Sequence, residues 1–95
     1  MNSFTEENYL KAIYKLGLKD DSVSTSAVAQ EMGVQSASVT DMLKKLAAKE
    51  LVSYKKYRGV SLTEQGSKEA IRIVRKHRLW EVFLVEKLGF GWGDV

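Results

Sequence analysis

The segment spanning residues 24–43 restricts the fold of this chain more than any other part of the sequence. Ser24 or Thr25 can cap a short helix, and Gly33 can adopt the left-handed backbone conformation that ends a helix and turns the chain. Ser36 can then cap a second helix. The apolar stripe of that second helix is formed by Val39, Met42, Leu43 and Leu46. The pattern predicts two short helices joined by a tight glycine turn, the helix-turn-helix arrangement.

Helix and strand patterns continue on both sides of this segment. Before it, Ser3 and Glu6 have the spacing of a capping box, or Thr5 can serve as the N-cap instead, and either starts a helix whose apolar residues recur at helical intervals. After it, residues 51–54 and 60–63 alternate as a half-buried hairpin requires, and Thr63 can cap a long helix over residues 64–88. We therefore predict a mainly α fold with a small β-hairpin, a winged helix-turn-helix followed by a long C-terminal helix.

The last part of the long helix is unusually apolar. Between residues 79 and 88, apolar side chains cover most of the helix circumference. A helix that is apolar all round must be buried. We therefore expect this part to pack on a partner chain or on sequence that lies outside these residues.

The positive charge of the chain is concentrated in one block. The formal net charge is +3, but residues 44–78 carry +8, while the segments before and after them carry −3 and −2. A concentrated positive field favours a polyanionic partner more strongly than an even excess of lysine would. Together with the helix-turn-helix, this block predicts double-stranded DNA as the partner.

The second helix of the predicted motif would enter the major groove of DNA with its N-terminal residues at the base edges. Glutamine and serine can hydrogen-bond bases or phosphates, alanine can contact a thymine methyl group, and lysine suits phosphates. The hairpin connection is basic, and Arg58 is its best candidate for the minor groove. The predicted DNA-contacting residues are Gln35, Ser36, Ala37, Ser38, Lys44 and Lys45 of the helix, and Lys55, Lys56, Tyr57 and Arg58 of the hairpin.

Residue types needed for several other functions are absent or rare. Cysteine is absent, which excludes disulfides and thiolate metal sites in this chain. His77 is the single histidine, so a Ser-His-Asp triad or a multi-histidine cage is nearly excluded, and we predict that the chain is not an enzyme. No apolar run reaches the roughly 18–20 residues that span a bilayer, and the N-terminus lacks a signal-peptide pattern. A cytoplasmic protein without membrane contact is expected.

Five parts of the sequence together resemble one known family. They are residues 5–14 (TEENYLKAIY), the helix-turn-helix, Tyr57-Arg58-Gly59, Leu62-Thr63-x-x-Gly66, and residues 75–81 (RKHRLWE). Their order and spacing resemble the diphtheria toxin repressor and manganese transport regulator family over essentially all 95 residues. The resemblance implies a transcriptional repressor that depends on a divalent metal, Fe²⁺ or Mn²⁺, and binds operator DNA as a homodimer.

The resemblance also implies how the chain is divided. Residues 1–70 would be the winged helix-turn-helix DNA-binding domain, and residues 71–95 the long helix and the start of a dimerisation domain. The rest of the dimerisation domain would follow Val95. We therefore expect the chain to be a truncated form of a longer repressor.

The metal ligands that the resemblance implies lie on the first helix and on the long helix. His77 and Glu81 match ligand positions of the family, and they lie four residues apart on one helical face. Asn8 stands at a third ligand position and can ligate weakly through its carbonyl oxygen. Lys11, at a glutamate position of the manganese branch, cannot ligate when protonated. Since the remaining ligands would follow Val95, no tight metal binding by this chain itself is expected.

Other interpretations stay open at this point. A winged helix can serve as a protein–protein interaction module that never touches DNA, although such a module has no reason to carry a lysine cluster at this place. A winged regulator can also sense an organic ligand in a pocket near its first helix. His77 and Glu81 can form a surface pair instead of a metal site.

Overall fold

A computed structural model of the chain describes residues 3–56 and 58–88. Its elements are α1 (Phe4–Gly17), α2 (Thr25–Met32), α3 (Ser36–Ala48), β1 (Val52–Lys55), β2 (Gly59–Leu62) and α4 (Glu64–Leu88). The two strands pair antiparallel, with Val52 opposite Leu62 and Lys55 opposite Gly59. The predicted fold class is confirmed, since a small hairpin lies between the helix-turn-helix and the long C-terminal helix.

Side-chain caps begin α1, α2 and α4 where the sequence predicts them. The Ser3 hydroxyl accepts from the Glu6 amide at 3.1 Å and the Glu6 carboxylate accepts from the Ser3 amide, which completes a capping box. The Ser24 hydroxyl accepts from an amide in the first turn of α2 at 3.0 Å. The Thr63 hydroxyl accepts from the Gly66 amide at 2.9 Å. Each cap satisfies an amide that the first turn of a helix otherwise leaves unbonded.

The predicted N-cap of α3 is wrong. Gln35 is the N-cap, with an extended backbone at φ −78° and ψ 150°, whereas Ser36 is already the first helical residue. The Gln35 side chain makes no capping hydrogen bond. Val34 and Gln35 complete the turn after Gly33, and α3 begins at Ser36. With Ser36 as the cap, the helix would have begun one residue later, at Ala37. The first amides of α3 are therefore not satisfied by a cap side chain.

The turn between α2 and α3 has the geometry that the glycine predicts. Gly33 has φ +69° and ψ +35°, and the Val34 amide donates to the Ala29 carbonyl at 3.1 Å, which closes the end of α2. The fully buried stripe of α3 consists of Val39, Leu43 and Leu46. Met42, predicted as part of this stripe, is only partly buried against the core. Packing between α2 and α3 thus fixes which face of α3 points outward.

The hairpin is attached to the connection between α1 and α2. Val23 forms a β-bridge with Val60, with amide-to-carbonyl distances of 2.8 Å in both directions. The Ser22 hydroxyl donates to the Arg58 carbonyl at 2.6 Å. Gly59 has φ +92°, and a Cβ there would lie 2.5 Å from the Val23 carbonyl oxygen, so glycine is required. The hairpin is therefore attached to the segment just before α2, and no sequence pattern indicates this contact.

Two consecutive carboxylates at the start of α1 are buried, since Glu6 and Glu7 are only 5% and 8% exposed. Lys49, the C-cap residue of α3, donates to Glu6. Lys76 of α4 donates to Glu7 at 2.8 Å, and the Arg72 guanidinium lies 3.7 Å from the same carboxylate. Because a buried charge is tolerated only when it is paired, these contacts hold α1 against both α3 and α4.

Replacing Gly66 with alanine is expected to destabilise the fold strongly. A Cβ at this position would overlap the carbonyl oxygen of Leu51, which already accepts from the Thr63 amide at 3.1 Å. The first turn of α4 or the segment before β1 must then move, which costs at least about 2 kcal/mol. Chemical denaturation of Gly66→Ala measures this loss as a lower midpoint.

Gly17→Ala is the matched control for this prediction. A Cβ at Gly17, the last residue of α1, would meet nothing within 4 Å. Alanine there is expected to leave stability unchanged or to raise it by up to about 1 kcal/mol, because alanine is the better helix former. Equal midpoints for the two variants would contradict the close approach of α4 to Leu51.

The ion pair between Glu6 and Lys49 is expected to make stability depend on pH in the acid range. The hydrogen bond from Lys49 holds the pKa of Glu6 below its usual value of 4.5, against the opposing effect of burial. A carboxyl group with a lowered pKa in the folded state stabilises the fold above pH 4.5, and this contribution is lost as the pH falls through the folded-state pKa. Glu6→Gln is therefore expected to lower the free energy of unfolding at pH 7 by about 1–3 kcal/mol.

Urea denaturation of wild type and Glu6→Gln between pH 7 and pH 3 tests this expectation. The difference in unfolding free energy should shrink as the pH falls, and a difference that stays constant over the whole range would contradict it. Glu31→Gln is the control, because Glu31 pairs with Lys15 on the surface at 3.2 Å. Its loss is expected to cost under about 1 kcal/mol.

Candidate nucleic-acid interface and the α1–α4 junction

The N-terminal end of α3 is presented to solvent. Gln35, Ser36, Ala37 and Ser38 are all exposed, whereas Val39 directly after them is fully buried. The buried stripe packs on α2, so the opposite face and the first turn of α3 point away from the core. The four predicted base-reading residues thus lie together at an accessible helix end, the part of a recognition helix that meets base edges.

The lysines predicted to bind phosphate are exposed as well. Lys44 and Lys45 lie in the later turns of α3, and Lys55 ends β1. α3 ends at Ala48 and β1 begins at Val52, so the helix leads almost directly into the hairpin. The basic residues of α3 and of the hairpin therefore lie on elements that follow one another directly in the chain.

The connection between β1 and β2 is a closed turn with basic side chains. The Arg58 amide donates to the Lys55 carbonyl at 2.9 Å. Lys56 and Arg58 are exposed. Tyr57, the remaining predicted contact residue, lies outside the described residues. The exposed side chains of Lys56 and Arg58 can therefore contact DNA next to the stretch that α3 would contact.

The cations of the basic block fall into groups with different surroundings. One group forms ion pairs with glutamates of the same chain: Lys49, Lys68, Arg72 and Lys76. Another group has side chains that form no ion pair or hydrogen bond among residues 3–56 and 58–88: Lys44, Lys45, Lys55 and Arg58, together with Arg75 and Arg78 of α4. Four members of the second group, Lys44, Lys45, Lys55 and Arg58, lie on α3 and the hairpin, so these two elements carry positive charge that is available to an external anion.

His77, a predicted metal ligand, lies beside a lysine of α1. Lys11 Nζ is 3.3 Å from His77 Nδ1, and since an ammonium group can only donate, Nδ1 accepts. The ring of Phe4 lies 6.4 Å away, tilted by 42°. Burial, followed by the positive charges of Lys11 and Lys76, lowers the pKa of His77 below its usual 6.5, against the weaker effect of nearby carboxylates. The imidazole is therefore neutral at neutral pH.

The other two predicted metal ligands do not complete a site with His77. Glu81 is half-buried one turn further along α4. Asn8 is half-buried on α1 and lines a depression of about 250 Å³ with Lys11 and with Glu31 of α2. Residues 3–56 and 58–88 hold no group of three or more His, Cys, Asp or Glu side chains that could share a metal ion. A divalent ion does not fit this arrangement, because an ammonium group bonds the histidine instead.

The contacts that join α1 to α4 are missed by sequence reasoning. Lys11 is predicted only as a residue that cannot ligate, and neither its bond to His77 nor that of Lys76 to Glu7 is anticipated. The partners lie 66 and 69 residues apart, so no local pattern links them. One signal was present, because glutamates placed beside the apolar stripe of α1 need cationic partners if the stripe is buried.

The second half of α4 carries large apolar side chains on its surface. Leu79, Trp80 and Phe83 are 71%, 59% and 42% exposed, and the rings of Trp80 and Phe83 stack at 5.3 Å. With Phe4 they border a shallow groove of about 810 Å³ beside His77. Exposed apolar surface of this kind marks an interaction site, as the sequence predicts for this part of the helix. No helix in the two described stretches is both long and apolar enough to cross a membrane.

Two family models match the chain in succession. The model described as "Iron dependent repressor, N-terminal DNA binding domain" matches residues 1–60. The model described as "Iron dependent repressor, metal binding and dimerisation domain" matches residues 63–95. The boundary between them falls where β2 gives way to α4.

Curated relatives agree with these models. An HTH-type transcriptional regulator of Methanocaldococcus jannaschii is 40% identical over 85 residues, which cover 87% of this chain and 67% of the relative. The HTH-type transcriptional regulator MntR of Bacillus subtilis is 38% identical over 84 residues, which cover 88% of this chain and 59% of the relative. The chain thus spans about half to two thirds of the length of the curated relatives it matches.

The fold is shared with a solved relative as well. The crystal structure of IdeR from T. acidophilum matches with a TM-score of 0.81 at 32% identity, over 97% of this chain and 43% of that chain. The likeness therefore includes the way in which α4 follows the winged helix-turn-helix, and not only the short motif. On the strength of both family models and of these relatives, the chain belongs to the iron-dependent repressor family.

Proposed function

We propose that the chain is a sequence-specific, DNA-binding transcriptional repressor that acts on its operator as a homodimer. One observation carries the proposal: α3 presents an exposed N-terminal end, and Lys44, Lys45 and Lys55, which form no ion pair among the described residues, lie on the same helix and on the hairpin that follows it. The recognition helix would lie in the major groove and the hairpin on the neighbouring backbone. The relatives, which are named as HTH-type transcriptional regulators, support the same function.

In this proposal the start of α3 reads the base edges. Gln35 and Ser38 can donate and accept hydrogen bonds in the major groove, and the Ala37 methyl group suits a thymine methyl. Ser36 can bond a phosphate or a base. Because no side chain caps α3, its first amides can bind a DNA phosphate at the positive end of the helix dipole.

The basic side chains hold the DNA backbone. Lys44 and Lys45 on α3, with Lys55 and Lys56 on the hairpin, would bind phosphates and release counterions, which makes the affinity depend on salt. Arg58 would enter the minor groove, where a narrow groove attracts arginine. The hydroxyl group of Tyr57 suits a phosphate oxygen.

Dimerisation would place two recognition helices about 34–36 Å apart, one turn of DNA. The exposed Leu79, Trp80 and Phe83 of α4 support a subunit contact, because an apolar surface of this kind is stabilised when it is covered. The match of residues 63–95 to a dimerisation-domain model supports the same assignment.

The alternative functions have less support. A protein–protein interaction module has no reason to expose Lys44, Lys45 and Lys55 without an ion pair among the described residues. A sensor of organic ligands needs a pocket near α1. The pocket between α1 and the hairpin measures about 230 Å³, below the roughly 300–1,000 Å³ of typical ligand sites. The groove of about 810 Å³ beside Phe4 is large enough, but it is an open surface bordered by the exposed Leu79, Trp80 and Phe83, which we assign to the subunit contact. A transcriptional regulator needs no catalytic site and acts where the DNA is, so we propose no enzymatic activity and a cytoplasmic location.

The described residues do not form a complete metal site, although the family models imply control by a metal. The family models are named after iron and metal binding. The predicted Fe²⁺ or Mn²⁺ would be held by His77 and Glu81, with Asn8 as a weak third ligand and the remaining ligands after Val95, but Lys11 bonds His77 in this chain. The proposed DNA-binding mechanism therefore contains no step through a metal held by these three residues.

Removing the two hairpin lysines together tests the contact with the DNA backbone. Lys55→Ala combined with Lys56→Ala is expected to weaken binding about equally on all duplexes and to lower the slope of log K against log salt by about two units. Fluorescence anisotropy at several salt concentrations measures both quantities. Lys68→Ala is the control, because Lys68 pairs with Glu64 on α4, and it should leave the slope unchanged. A slope unchanged in the double variant would remove the hairpin from the interface.

Ser38→Ala tests whether the start of α3 reads sequence. If Ser38 bonds a base, its loss is expected to relax the preference at one operator position by about 1–3 kcal/mol and to leave the salt slope unchanged. Selection from a random duplex library, followed by sequencing, gives the preference of each variant. Ser53→Ala, exposed on β1, is the control and should select the wild-type sequence. Equal losses on all sequences would reassign Ser38 to a phosphate contact.

A further inference from the structure

The junction between α1 and α4 is held by polar contacts as well as by apolar packing. Lys76 donates to Glu7 at 2.8 Å, and Lys11 donates to His77 Nδ1 at 3.3 Å. Both Lys11 and His77 are half-buried, so these groups are partly shielded from competing water. Since each contact joins α1 to α4, both help to fix the position of the long helix on the DNA-binding unit.

The charges around His77 come from both helices. α1 contributes Glu7 and Lys11, and α4 contributes Lys76 and Glu81. The Glu7 carboxylate already has Lys76 as its partner, and the lone pair of His77 Nδ1 is engaged by Lys11. A divalent ion at this place would meet an ammonium group at the imidazole and would have to compete with Lys76 for the carboxylate.

We infer that the ammonium group of Lys11 is a built-in cation that takes the place of a divalent metal ion at the α1–α4 junction, so that α4 docks on α1 without metal. An ammonium group has three N–H donors, and one of them can bond the lone pair of an imidazole nitrogen. A cation that is covalently attached to α1 is present at any metal concentration, so docking does not depend on metal in solution. The consequence for regulation rests on the proposed repressor function: DNA binding would need no metal.

The single histidine makes this inference directly testable by NMR, because His77 is the source of all imidazole ¹⁵N signals of the chain. In the wild type we expect Nδ1 to be unprotonated and Nε2 to carry the proton at neutral pH, as an acceptor role of Nδ1 requires. Zn²⁺, a diamagnetic probe, is expected to leave both ¹⁵N shifts unchanged when added at a stoichiometric amount. A protonated Nδ1, or ring shifts that move with Zn²⁺, would overturn the inference.

Lys11→Met removes the cation but keeps a side chain of similar length. We expect the midpoint of thermal unfolding to fall by about 4–8 °C, the usual effect of losing one hydrogen bond in a domain of this size, and Mn²⁺ not to restore it. Lys19→Met is the matched control, since Lys19 is exposed between α1 and α2, and it should unfold at the wild-type midpoint. A wild-type midpoint for Lys11→Met as well would show that Lys11 does not hold the junction.

Lys11→Glu should convert the junction into one that requires a cation from solution. The new carboxylate would lie beside His77, and repulsion from Glu7 and Glu81 is expected to lower the unfolding midpoint in EDTA. Mn²⁺ or Zn²⁺ should raise that midpoint, and Zn²⁺ should also move the ¹⁵N signals of His77. Lys19→Glu controls for the change of charge and should show no response to metal. A wild type that responds to metal as strongly as Lys11→Glu would contradict the inference.

DNA binding separates failure of this inference from failure of the proposed function. The wild-type chain is expected to bind a selected duplex equally well in EDTA and in Mn²⁺. Binding that occurs only with Mn²⁺ would overturn the inference and leave the DNA-binding function in place. Absence of binding in both conditions, with His77 signals that Zn²⁺ does not move, would overturn the proposed function and leave the inference in place.

Discussion

The burial of two neighbouring carboxylates at the start of α1 determines how the helices of this chain fit together. A buried carboxylate without a partner costs several kcal/mol, so Glu6 and Glu7 each require a cation from elsewhere in the fold. Lys49 at the end of α3 and Lys76 on α4 supply these cations. No buried side-chain nitrogen or oxygen in the described part of the chain lacks a partner. Through these pairs, the recognition helix and the long helix are both positioned relative to α1.

The same charges explain why the strongly basic block of residues 44–78 does not act as one surface. Lys49, Arg72 and Lys76 pair with Glu6 or Glu7 and stabilise the junctions of α1 with α3 and α4. Lys44, Lys45, Lys55 and Arg58, on α3 and the hairpin, form no ion pair in the described part of the chain. Lys11 extends this use of lysine to the α1–α4 junction, where it bonds His77. If Lys11 takes the place of a metal ion, as we infer, the helices are held in the arrangement proposed to bind DNA without an ion from solution.

Much of the fold could be predicted, because caps, turns and apolar stripes are local. The capping box of Ser3, the left-handed Gly33 and the start of α4 after Thr63 all lie where the sequence indicates. The error at α3, with Gln35 as N-cap instead of Ser36, is also local, since the serine pattern alone does not count the residues that the turn needs. The candidate DNA surface was predicted on the same basis, from residue types and their place on the motif.

The sequence by itself therefore determined the helices, the hairpin and the residues that would face DNA, because each depends on neighbours within a few positions. Only the tertiary structure decided which lysines remain unpaired and what His77 contacts. Lys49 meets Glu6 across 43 residues, and Lys11 meets His77 across 66. Contacts at such separations depend on how whole helices pack, and the packing of several helices is set jointly by all buried side chains. The lysine that the sequence marks only as a poor metal ligand becomes, in three dimensions, the partner of the histidine.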